Sequence, residues 1–164
     1  MKMIISWAMI IFLAFTAQTS LFTYISFNGV SVNLMLLLVV SVAYIHGWKY
    51  GVAIGFVTGL LQDLTTGSFF GCAMFSYMTI GLLFGKFATN VFKEQFFFPV
   101  MSAPVAAVMY FAFMTALIYL LGYRIDLVLS AQKILLPLVC YQLFFAWFIH
   151  KIVFNFDKFA KRHG

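Results

Sequence analysis

Asp63 is the one acid inside an apolar stretch of this sequence; Glu94, Asp126 and Asp157 fall in predicted loops or in the C-terminal tail. A carboxylate at membrane depth is costly, so it must find donors, join a proton path or meet a polar partner. A proton relay needs further titratable groups nearby, and the flanking apolar runs supply none. Asp63 closes the segment GWKYGVAIGFVTGLLQD, just ahead of Thr65, Thr66, Gly67 and Ser68, which read as a turn. An acid at a helix C-terminus faces the unfavourable end of the helix dipole. The N–H groups of Thr65 to Gly67, or those opening the next helix, would satisfy it through an Asx-type turn or an N-cap. Contact with a partner protein is the other reading.

Around this acid, small residues recur at every fourth position: Gly47, Gly51, Gly55, Gly59, then Gly67 and Gly71 beyond Asp63. Glycine weakens a soluble helix, but in lipid small residues four apart let two backbones approach closely. Four residues turn a helix by about 400°, so such a stripe drifts by roughly 40° per step. Gly51, Gly55 and Gly59 therefore form one face, Gly67 belongs to the turn, and Gly71 is expected in the next helix. Gly81 and Gly85 repeat the spacing, as do Ala103/Ala107 and Ala112/Ala116. These faces could pack within one subunit or dock on another protein. No enzyme motif is present: no P-loop, G-x-S-x-G, H-E-x-x-H or paired carboxylates. His46, His150 and His163 sit at run ends and read as interfacial. Cys72 and Cys140 lie in apolar runs and read as buried free thiols. No cofactor is expected.

The elements that would position these residues are apolar runs. The chain has 164 residues, 65% hydrophobic and 9% charged, against about 45–50% and 25% in soluble domains. The bilayer is its expected solvent. Six helices are expected, at residues 3–25, 30–45, 48–64, 69–87, 96–121 and 133–154, in a single membrane domain over residues 1–164. The first run is long and preceded by Lys2 alone, which argues against a cleaved signal peptide. The net charge of +6 is dispersed between runs, so nucleic acid is not a predicted partner. With both termini in the cytoplasm, Lys2, Lys49, Lys86, Lys93, Lys151, Lys158, Lys161 and Arg162 face inward, and Arg124 and Lys133 outward. That agrees with the positive-inside rule. The tail HKIVFNFDKFAKRHG reads as a helix end in the headgroup layer of the lipid bilayer.

The stretch VNLMLLLVVSVAYIHGWKYGVAIGFVTGLLQDLTTGSFFGCAMFSYMTIGLLFG resembles the MreD family of rod-shape-determining bacterial membrane proteins. Asn33, Gly47, Gly51, Gly55, Phe56, Gly59, Leu60, Asp63, Gly67 and Gly71 match the family pattern, within residues 32–85; Val32 replaces its proline. The resemblance implies an all-α integral membrane fold, a compact six-transmembrane-helix bundle like the S-components of vitamin transporters. It implies a multi-pass protein of the bacterial cytoplasmic (inner) membrane and a non-enzymatic scaffold of the cell-elongation complex. Its implied partners are an MreC-like bitopic membrane protein and, directly or indirectly, MreB, RodA and a penicillin-binding protein; a homodimer is a further expectation. Partner-binding or helix-packing positions would be Asn33, Gly51, Gly55, Gly59, Asp63, Gly67, Gly71, Gly81 and Gly85. The alternative is a small-molecule-binding subunit of an ECF-type vitamin transporter. Ala8, Ala14 and Ala17 lack the Ala-x-x-x-Ala spacing expected on the first helix of that class.

Overall fold

The segment LMLLLVVSVAYIH has no polar face to turn toward water, and a helix that is apolar all round belongs in a core. In the computed structural model, which describes residues 2–20, 32–67, 70–88, 97–122 and 131–163, this segment forms α2 (Leu34–His46), and every residue from Leu34 to Ala43 is buried. Five further α-helices are described: α1 (Lys2–Ser20), α3 (Trp48–Thr66), α4 (Cys72–Ala88), α5 (Phe97–Leu120) and α6 (Leu136–His163). A short π-helical turn, Ala131–Leu135, leads into α6. All of the other helices pack on α2. Met35, Leu36, Val39, Val40 and Ala43 meet Tyr77, Ile80 and Phe84 of α4 and Ala106 of α5 in the main core cluster.

α3 and α4 form the most extensive pair. α3 buries its small and polar residues, Gly51, Gly55, Thr58, Gly59 and Asp63, and exposes Phe56, Val57 and Leu64. That inversion suits lipid, where close backbone packing gains more than hydrophobic contact. α6 does the same: Gln142, Ala146, His150 and Asp157 are buried, while Phe144, Trp147 and Phe148 face out. Pro104 lies inside α5. Near the N-terminus, Trp7 packs edge-on against His46, 5.3 Å between ring centroids, and against Phe156 at 6.2 Å. The start of α1 and the end of α6 thus share one end of the bundle.

The expectation of a six-transmembrane-helix bundle is corrected by these helices. Among the described residues, two are long and apolar enough to cross a membrane: Val100–Leu120 and Gln132–Lys158. The 13 residues of α2 reach about 20 Å, short of roughly 30 Å of hydrocarbon. α4 is also a shorter apolar helix, and the described apolar part of the first run is Met9–Ser20. In α3, glycines, threonines, Gln62 and Asp63 dilute the hydropathy. An apolar run need not be a span when other helices cover it, as α2 shows. Residues 21–25 of the expected first helix lie outside the described residues.

Candidate functional site

Asp63 stands one turn before the end of α3. Gly67 ends that helix in the left-handed region, φ 64°, and donates its N–H to the main-chain carbonyl of Asp63 at 3.1 Å. The carboxylate turns across to α4. Oδ1 accepts from the N–H of Ala73 at 2.9 Å, and Oδ2 accepts from Gly71 and Met74, each at 3.0 Å. The first N–H groups of a helix have no partner within it, and the helix dipole places positive charge there. Asp63 fills that site from the neighbouring helix and is itself 4% exposed. Of the alternative donors in the turn, the Gly67 N–H serves the main-chain carbonyl instead. Gly71 precedes α4 rather than belonging to it. Its φ of 101° is a backbone state that favours glycine, and it aims the N–H at the acid.

The glycines of α3 lie on α4 of the same chain. A Cβ at Gly51 would sit 2.6 Å from the carbonyl oxygen of Gly81, and one at Gly55 would sit 2.6 Å from that of Tyr77. At Gly59 it would press on Ala73 and Met74, and at Gly85 on the backbone of Gly47 and Trp48. Gly51, Gly55, Gly59, Gly81 and Gly85 are therefore brought into one antiparallel seam. Gly67 and Gly71 sit at the turn that ends it. Ala103 and Ala107 are buried, whereas Ala112 and Ala116 are exposed.

Asn33 anchors a second polar cluster. Its Oδ1 accepts from Leu36 N at 3.1 Å, capping α2, and from the Tyr77 hydroxyl at 2.8 Å. Its main-chain carbonyl accepts from Gln142 Nε2 at 3.1 Å. Gln18 Oε1 accepts from Met35 N at 3.1 Å, and Gln18 Nε2 donates to Gln62 Oε1 at 2.8 Å. Side chains of α1, α3, α4 and α6 so converge on the start of α2. Sequence reasoning missed Tyr77 and Gln142. Gln142 carried a signal, as an amide inside an apolar run; Tyr77 is one aromatic among many. Tyr77→Phe is expected to remove the hydrogen bonds of its hydroxyl with Asn33 and Tyr110, a net loss of about 0.5–1.5 kcal/mol for each. Asn33 keeps its cap, so the melting temperature of the purified chain should fall by only about 2–4 °C per kcal/mol.

At the other end, His46 Nε2 lies 2.9 Å from Asp157 Oδ1, joining the end of α2 to the last turns of α6. Lys49, Lys151 and Lys158 lie over the rings of Trp48, Trp147 and Phe154. Cys72 is buried as expected, but Cys140 is exposed, because it lies on the outward face of α6. Among the described residues, no group of three or more His, Cys, Asp or Glu could hold a metal.

Backbones held in contact by glycine and locked by one carboxylate define a helical protein packed in the manner of membrane helices. The chain belongs to the MreD family: the family model described as rod shape-determining protein MreD matches residues 1–159. No curated protein and no solved structure matches the chain. It is an integral bacterial membrane protein and a non-enzymatic scaffold in rod-shape maintenance, associated with the elongation machinery. The family match supports this reading over the transporter-subunit alternative, and the expected likeness to transporter S-components has no structural match behind it.

Proposed function

We propose that the chain is a multi-pass scaffold of the bacterial cytoplasmic membrane that binds an MreC-like bitopic partner. Through that partner or directly, it helps hold MreB, RodA and a penicillin-binding protein to lateral peptidoglycan synthesis. The observation that carries the reading is the family match over residues 1–159. Asn33, Asp63 and the seam glycines serve it indirectly, by fixing the shape on which the partner docks. The partner then meets outward side chains, such as Met101, Val105 and Val108 of α5 or Phe144, Trp147 and Phe148 of α6, which are exposed. Purification from native membranes in mild detergent is expected to bring down the MreC-like chain. An ATP-binding transporter module in its place would overturn the reading. Cross-linking in the same membranes tests for the homodimer.

The basic end of the bundle faces the cytoplasm in this proposal. Exposed Lys49, Lys86, Lys151 and Lys158 support it through the positive-inside rule. In a chain whose Cys72 and Cys140 are replaced by serine, Lys158→Cys should label only after permeabilisation. Gln132→Cys, near the opposite end of α6, should label in intact cells. The reverse pattern would invert the orientation.

A further inference from the structure

We propose that the cleft between α1 and α3 holds an acyl chain of an anionic phospholipid, with the lipid phosphate at a mouth built around Lys49. α1 packs chiefly on α2 and leaves an open cleft of about 540 Å³ beside α3. Trp7, Ile11, Phe15, Val42, Ile54 and Val57 are among its walls. The Gln18–Gln62 hydrogen bond bridges α1 to α3 at the end away from His46. At the His46 end the cleft meets a second hollow of about 220 Å³. The two share His46 and Tyr50, and Lys49 and Trp48 stand on the wall of the second. Binding sites for small ligands are commonly about 300–1,000 Å³, mostly apolar, with a few polar groups that fix orientation. Here the apolar part is a slot and the polar part is its mouth, the division found within a phospholipid.

Charge selects the headgroup. Lys49, Lys86, Lys151 and Lys158 are exposed toward this end. Asp157, the acid beside them, is 6% exposed and already engaged by His46. The lysines outnumber the one acid, so this end carries net positive charge, and the hollow adjoins the apolar cleft at His46 and Tyr50. Basic pockets between membrane helices bind anionic headgroups in this way. The start of α3 lies in the same hollow, and Gly47 gives it no side-chain cap, so the helix dipole adds to the lysines. A zwitterionic lipid would fill the slot but gain less from Lys49, because its ammonium group offsets the charge of its phosphate. A second membrane helix would find an apolar wall but leave the cationic mouth unmatched. The inference needs only the membrane setting and is independent of the proposed partner, because the chain is tested alone.

The test uses the full chain carrying Trp48→Phe and Trp147→Phe, which leaves Trp7 in the cleft as its tryptophan. It is reconstituted in mixed phosphatidylcholine and phosphatidylglycerol, with bromine on the acyl chains of one lipid or the other. Bromine quenches tryptophan fluorescence at close range. Trp7 is expected to prefer phosphatidylglycerol by about fivefold, the factor one lysine carries beside an anionic surface. Lys49→Gln should remove most of that preference, and Lys133→Gln, toward the other end, should leave it intact. Ala53→Phe, which fills the cleft from its α3 wall, should lower quenching by both lipids. Equal quenching by the two lipids in the test chain that keeps Lys49 overturns the proposal. So does a Trp7 that neither lipid quenches, since protein would then cover the cleft. Melting temperatures of the variants, read separately, distinguish a lost site from a lost fold.

Discussion

Asp63→Leu is expected to leave almost no folded chain in the membrane. The substitution removes the acceptors of three backbone N–H groups, those of Gly71, Ala73 and Met74. Each buried donor left unsatisfied costs about 1–3 kcal/mol. Together they approach the whole margin of roughly 5–15 kcal/mol that holds a typical domain folded. The favourable meeting of a carboxylate with a helix N-terminus is lost as well. Asp63→Asn should fall between leucine and the native acid. Its one amide oxygen can still accept from α4, but its NH2 group turns a donor toward donors. Membrane levels and melting temperature are expected to run Asp63, then asparagine, then leucine. If asparagine were as damaging as leucine, the charge rather than the acceptor geometry would be what matters.

Gly55→Leu is expected to act through the fold as strongly, and for a different reason. Leucine is well tolerated at membrane depth, so insertion is not the obstacle. Its Cβ alone would come within 2.6 Å of the Tyr77 carbonyl oxygen, and the atoms in the way are backbone. α3 and α4 would have to separate along the seam. That separation would also pull Asp63 from its donors and disturb the core cluster of Tyr77 and Ile80 against α2. The variant should be degraded or melt far lower, with partner binding lost only in step with the amount of folded chain. Phe56→Leu, one position off the seam and exposed, should be near neutral. A stable Gly55→Leu chain that failed to bind its partner would instead place the partner on the glycine face.

The seam was legible because its cause is local and periodic. Gly51, Gly55 and Gly59 recur within one helix, and an acid in apolar surroundings can be satisfied by few things, so Asp63 pointed to donors in its own turn, at the next helix start or on a partner. What the sequence left open was which surface the glycines meet, because a stripe suited to a helix of its own chain is equally suited to another's. The Asn33 cluster was less accessible. Its bond to Gln142 joins positions 109 residues apart, and no local pattern encodes such a meeting. Tyr77 differs from a buried phenylalanine only by the hydroxyl that reaches Asn33. The pairing of His46 with Asp157 was hidden in the same way, each residue reading as interfacial on its own. Counting spans from hydropathy failed at α2 and α3 for opposite reasons. α2 is apolar because its neighbours cover it, whereas α3 is diluted by the residues that let it pack.

The account's central claim is that Asp63 locks α3 to α4 within the chain itself, and the amide hydrogen exchange of Gly71, Ala73 and Met74 tests it most directly. These three N–H groups are expected to exchange slowly in the purified chain alone. They should speed up in Asp63→Asn and be unchanged when the MreC-like partner is added to the native chain. Exchange at loop-like rates in the chain alone, slowing only once the partner is bound, would contradict the account and assign Asp63 to the interface instead.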